Sequence, residues 1–164
     1  MNIRPYSPAD WERLCVIHDA ARLHELEAAG LADAFLSLEQ TAENEGLFAG
    51  KVLVAESRGQ VHGFVAFTQH ELTWLYVDPG KARQGIGRQL LRRAIEACTG
   101  NLSTEVLVGN EPALALYQSE GFVILRRSDG RLTGNEAYAA SGYLLQHTVS
   151  EAETGVGYDC STAL

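Results

Sequence analysis

Lys81-Ala82-Arg83-Gln84-Gly85-Ile86-Gly87-Arg88-Gln89-Leu90-Leu91-Arg92-Arg93-Ala94-Ile95-Glu96-Ala97-Cys98 is the stretch from which the rest of the chain is read. It opens on a glycine turn and continues as a helix. Ile86, Leu90, Leu91, Ala94, Ile95 and Cys98 fall on one stripe at helical spacing, with Arg88, Gln89, Arg92, Arg93 and Glu96 opposite. Just upstream, residues 71–77 (ELTWLYV) read as a strand closed by Asp78-Pro79-Gly80. A strand and a turn therefore feed the helix. Glycine lets the backbone approach a ligand closely. The free N–H groups of a first helical turn, and the helix dipole, favour an anion there. Arg83 and Arg88 flank the turn with positive charge. The physical reading is a pyrophosphate site, and the plainer alternative is a tight turn that holds nothing. Two common phosphate loops are excluded. No Gly-Lys-Ser or Gly-Lys-Thr occurs, and Gly85-Ile86-Gly87 runs into Arg88-Gln89-Leu90 without a third glycine.

Working outward, residues 52–56 and 61–69 read as two strands joined by the turn Ser57-Arg58-Gly59-Gln60. Residues 2–6 read as a first strand. Ser7 and Pro8 open a helix with the apolar stripe Trp11, Leu14, Cys15, Ile17 and His18. Residues 22–45 read as one or two further helices, broken near Gly30. Downstream, residues 103–108 read as a strand, and Asn110-Glu111-Pro112 opens a helix that stops at Gly121. Residues 122–127 and 138–147 read as two last strands, joined as a hairpin through Asp129-Gly130. The order predicts an α+β domain over residues 1–148. One strand-helix-strand crossover sits inside a mostly antiparallel sheet of six to seven strands, so a doubly wound parallel sheet is excluded. Residues 149–164 lack periodicity and read as a mobile tail.

Composition narrows the function classes. The 164 residues are 46% hydrophobic and 21% charged, which excludes a disordered or fibrous chain. No apolar run approaches the ~20 residues that span a bilayer. No secretory signal is read at the N-terminus, so the expectation is a cytoplasmic protein with no membrane partner. The net charge of -8 argues against nucleic acid as a partner. Cys15, Cys98 and Cys160 are too far apart for a disulfide framework or a zinc cluster. The five histidines show no metal-ligand spacing, and no metal is expected.

Two signatures, in order and at family spacing, carry a resemblance. Val77-Asp78-Pro79, then Arg83-Gln84-Gly85-Ile86-Gly87-Arg88 and Leu90-Leu91, is similar to the acyl-CoA motif of the GNAT N-acetyltransferases. Glu105-Val106, Asn110-Glu111-Pro112-Ala113, Leu116-Tyr117 and Gly121-Phe122 are similar to the second signature of that family. The resemblance covers about residues 50–147. The first position of the family's turn pattern falls on Ala82, and Arg83 comes one residue later. The implied phosphate contacts come largely from backbone N–H groups, which this departure leaves in place.

The resemblance implies a GNAT fold with helices on both faces, and acetyl-CoA as donor and co-substrate. Leu75, Tyr76 and Val77 would pair with the pantetheine arm where their strand splays from residues 103–108. Arg83, Gln84, Gly85, Ile86, Gly87 and Arg88 would hold the pyrophosphate, with Asn110 and Tyr117 also toward the cofactor. Backbone N–H groups in the splayed region would stabilise an oxyanion. The acceptor is a primary amine, which is protonated near neutral pH and needs a base. Glu105 and Glu71 match positions that serve as bases in different branches of the family, and a water chain is the third option. Tyr117 matches the general acid for the leaving thiolate. His18 and Arg22 share a helix face at i, i+4 and read as acceptor contacts or, more plainly, as a solvated face. The implied reaction is direct attack in a ternary complex, with a small-molecule acceptor slightly favoured. The alternatives are a protein or peptide acetyltransferase, acting on N-termini or lysines, and a non-catalytic acyl-CoA-binding regulatory module. Homodimers are common in the family, and one is allowed here.

Overall fold

The computed structural model describes residues 1–149. The expected tail, beyond Val149, and Cys160 lie outside the described residues. The elements are β1 (Asn2–Pro5), α1 (Trp11–Ala28), α2 (Leu38–Thr41), β2 (Lys51–Ser57), β3 (Gln60–Phe67), β4 (Leu72–Val77), α3 (Ile86–Glu96), β5 (Leu102–Leu107), α4 (Glu111–Ser119), β6 (Val123–Leu132) and β7 (Asn135–His147). The α+β class, the seven strands and the antiparallel pairing agree with the expectation. The strands divide into a four-stranded sheet, β1-β2-β3-β4, and a three-stranded sheet, β5-β7-β6. One isolated parallel bridge, Glu71 to Ser103, links them.

Helices cover both faces of the first sheet. Ile86, Leu90, Leu91 and Ala94 of α3 pack with Val65, Phe67, Leu102 and Tyr117 on one side. Leu14 and Ile17 of α1 and Leu38 of α2 pack with Val54, Phe64 and Trp74 on the other. Residues 61–67 of β3 are accordingly buried without interruption, as a strand covered on both faces must be. Each fully buried Leu or Phe side chain contributes roughly 1.5–3 kcal/mol of transfer free energy. Gly63 sits where α3 presses onto β3. A Cβ there would lie 2.9 Å from the Tyr76 carbonyl oxygen and 3.2 Å from Leu90 Cδ1.

Two details differ from the sequence reading. The chain does break at Gly30 (φ 71°), but residues 22–28 continue α1 instead of starting a new helix. Asp129-Gly130 is not the hairpin turn. Asp129 pairs with Ser141 and Gly130 with Ala140, and the chain reverses at Thr133-Gly134. The turn-like Asp-Gly chemistry is overridden because Leu132 has a buried place against Leu26 and Ala34, which extends both strands.

His18 is also not on a solvated face: it is only 2% exposed. Its ring lies edge-on to Tyr76, with centroids 4.9 Å apart, and 5.5 Å from Trp74. Asp19 Oδ1 is 2.9 Å from its Nδ1. Burial pushes the His18 pKa below its usual value, and the Asp19 hydrogen bond only partly opposes this.

Gly63→Ala should destabilise the fold by about 1–3 kcal/mol, the usual cost of overpacking, because carbonyl and helix must both move. Thermal unfolding measures it, and an unchanged midpoint would mean that β4 and α3 yield freely. The depressed His18 pKa means the unfolded state binds the proton more readily. Stability should be intact above about pH 6.5 and fall as pH drops below it, through the folded-state value. His18→Gln should flatten that part of a Tm-against-pH curve, and an identical slope in the variant would remove His18 as its source.

Candidate active site

The site is built around a parting of strands. Ser103 N–H donates to His70 O at 2.9 Å, and Thr104 Oγ1 donates to Leu72 O at 2.9 Å. Beyond that point β4 and β5 share no ladder pair, so the two parallel strands diverge toward their C-terminal ends. Asp78 N–H donates back to His62 O at 2.8 Å. By the two-residue alternation, Tyr76 also faces β3, while the main-chain groups of Leu75 and Val77 face the gap. Tyr76 thus differs from Leu75 and Val77: it offers the gap a side chain and no main-chain donor.

At the open end of the gap lies the glycine turn. Arg83 (φ 62°) and Gly85 (φ 78°) both hold left-handed backbone, and Gly85 is the residue preceding α3. Gln89 N–H makes the first helical bond, to Gly85 O at 3.1 Å. The N–H groups of Ile86, Gly87 and Arg88 precede it and have no acceptor within the helix. Gly87 brings the backbone close to α4, with its would-be Cβ 3.3 Å from Leu116 Cδ2. An open strand edge and three free N–H groups at a helix start suit an extended amide arm ending in a pyrophosphate. The turn is braced by Asp78, which accepts from Gly80 N–H at 2.8 Å and pairs with Arg13 of α1. Sequence reasoning missed Arg13. Arg83 and Gln84 are exposed, whereas the Arg88 guanidinium is committed to Glu120 at 2.9 Å. Arg88 therefore offers a ligand its main chain more readily than its charge.

On the α1 side the gap opens into a cleft of about 670 Å³. Glu71, Glu105, His18, Arg22, Glu25 and Tyr76 are among its lining residues. Both candidate bases thus meet in one cavity, Glu71 at the bridge and Glu105 exposed on β5. The β6–β7 tip reaches across it. Asn135 Nδ2 donates to Ala34 O and the Tyr138 hydroxyl to Asp33 O, both at 3.0 Å. Burial, then the neighbouring Glu136, pushes the Glu45 carboxyl upward, with Arg22 opposing.

Tyr117 lies in the apolar cluster on the α3 side, 5% exposed and 5.2 Å ring-to-ring from Phe122. Burial raises its pKa, the Thr104 hydroxyl opposes this, and the Glu25 charge adds to the rise, so the phenol keeps its proton at neutral pH. Asn110 caps α4, its Oδ1 accepting from Ala113 N–H at 3.3 Å. Its Nδ2 donates to Glu25 Oε1 at 3.1 Å, so its side chain is already engaged on both atoms. Glu25, unassigned by sequence reasoning, also receives Arg22 at 2.6 Å. The i, i+3 spacing of Arg22 and Glu25 was the available signal. Burial pushes the Cys15 thiol up to about 11, and that of Cys98 upward as well, so neither is a ready nucleophile.

The sequence model of the acetyltransferase (GNAT) domain matches residues 49–124. The N-alpha-acetyltransferase RimI of Mycobacterium tuberculosis is 42% identical over 73 residues, which span 43% of this chain and 46% of that protein. The peptidyl-lysine N-acetyltransferase YjaB of Escherichia coli is 30% identical over 58% of this chain and 68% of its own length. Among solved structures, a ribosomal-protein-alanine N-acetyltransferase from Brucella melitensis superposes with a TM-score of 0.68 at 27% identity, over 91% of this chain and all of that one. The family match runs through β4, the glycine turn and α4, the elements that frame the gap, and the chain belongs to the GNAT acetyltransferase family.

Proposed function

We propose that the chain transfers an acetyl group from acetyl-CoA to a primary amine by direct attack within a ternary complex. The observation that carries this is the placement of groups about one gap. Glu71 and Glu105 open on the cleft side, and Tyr117 is buried on the other. Acetyl-CoA supplies the activated thioester. Leu75 and Val77 hold its extended arm by main-chain hydrogen bonds, and the N–H groups of residues 86–88 hold its pyrophosphate. Glu105, on the diverging strand, takes the proton of the acceptor ammonium, directly or through water, and Glu71 is the second candidate for this role. Tyr117 gives its phenolic proton to the departing sulfur. A regulatory module that only binds acyl-CoA has no need of a buried phenol at this place.

The acceptor we favour is a small amine, because the β6–β7 tip is clasped across the cleft by Asn135 and Tyr138. A peptide amine is the second reading, supported by the acceptors named for YjaB and for the Brucella protein.

Acceptor-dependent release of CoA, measured against amino acids, polyamines, aminoglycosides and short peptides, tests both readings. Tyr117→Phe should keep acetyl-CoA binding, since the ring still packs on Phe122, and lose about 10²-fold or more in turnover. Unchanged turnover would remove Tyr117 as the acid. Gly87→Leu should weaken acetyl-CoA binding about tenfold or more in calorimetry, because the added side chain meets Leu116 and displaces the turn. Full affinity in that variant would put the pyrophosphate elsewhere.

A further inference from the structure

Glu25 joins three elements through one carboxylate. Its Oε2 receives the Arg22 guanidinium at 2.6 Å and the Tyr76 hydroxyl at 3.4 Å. Its Oε1 receives Asn110 Nδ2 at 3.1 Å. Tyr76 is near the end of β4, and Asn110 is the cap of α4, the helix that carries Tyr117. β4 is one wall of the gap and α4 follows directly on β5, the other wall, and no ladder bond joins β4 to α4. The side chain of Glu25 is only 14% exposed, so these bonds are shielded from competing water.

We propose that Glu25 is a positioning residue: its carboxylate is a crosspiece between β4 and α4 that fixes where Tyr117 stands relative to the reacting thioester. Glu25 is not the base, because both of its oxygens are occupied by donors and one faces an arginine. The cap and the crosspiece share a single side chain, since Asn110 Oδ1 holds Ala113 N–H while Nδ2 holds Glu25. Loosening Glu25 therefore loosens the start of α4. Its charge acts on the phenol as well, adding to the burial that keeps Tyr117 protonated. The role in turnover rests on the acetyl transfer proposed above, while the mechanical role does not.

The test uses the full chain with Glu25→Ala and Glu25→Gln. Hydrogen exchange at the start of α4 is read first, because it needs no activity. Alanine should speed exchange there by about tenfold, the scale of losing a hydrogen bond to a charged group. Glutamine can still accept from Asn110 through its carbonyl and should stay near wild type in exchange. In turnover, alanine should lower kcat more than it raises the acetyl-CoA KM, and glutamine, which keeps the Asn110 contact, should recover most of the lost kcat. A residue that only packs would lower stability without that split between kcat and KM and without that rescue by glutamine. Wild-type chain that releases no CoA with any acceptor defeats the proposed reaction, and exchange alone then decides the crosspiece. Native exchange in Glu25→Ala, or a kcat in Glu25→Gln no better than that in Glu25→Ala, overturns the role assigned to Glu25.

Discussion

Everything in this molecule that bears on chemistry follows from where two parallel strands stop pairing. Ser103 N–H and the Thr104 hydroxyl tie β5 to the chain at the start of β4, and the ladder then ends. Had the strands stayed paired, the main-chain groups of Leu75 and Val77 would be consumed and the sheet would be closed. Because they part, an edge of unspent donors and acceptors runs along the half-buried Leu75 and Val77. The gap is therefore open to pairing by an extended ligand with amides of its own.

The two sides of the gap are built differently. The α3 side is apolar and close-packed, with Leu90 and Leu91 fully buried and the backbone of Gly63 directly beneath the helix. The α1 side is a polar cavity with five glutamates and two arginines among its lining residues. A phenol on the first side is kept neutral by burial, while Glu71 and Glu105 stand exposed on the second.

Much of this was legible in the sequence, and what was not has identifiable causes. The α3 stripe and the Gly85-Ile86-Gly87 turn could be read because side-chain period and glycine placement are local. Tyr117 was singled out by resemblance to the family's second signature, not by its spacing. The parting of β4 and β5 came only from resemblance, since a missing ladder leaves no mark on side-chain pattern. His18 was misread because a polar residue beside Asp19 and Arg22 looks solvated, and only the tertiary fold brings Trp74 and Tyr76 over it. The hairpin turn was misplaced because Leu132 finds its burial partners about a hundred residues earlier in the chain. Glu25 went unassigned for the same reason: its partners Tyr76 and Asn110 lie far along the chain.

The clasp over the cleft has a consequence for how this scaffold can change. Asn135 and Tyr138 grip the carbonyl oxygens of Ala34 and Asp33, not their side chains. A main-chain grip is indifferent to the residue that supplies the carbonyl. Asp33 and the cavity-lining Leu36 can thus exchange their side chains without releasing the hairpin, while Ala34 stays tied by its packing against Leu132. The donor half enjoys no such freedom, since Gly63, Gly85 and Gly87 are fixed by backbone geometry and close approach. Drift in this chain would accordingly be uneven: one half conserves how acyl groups are carried, and the other is free to learn new recipients.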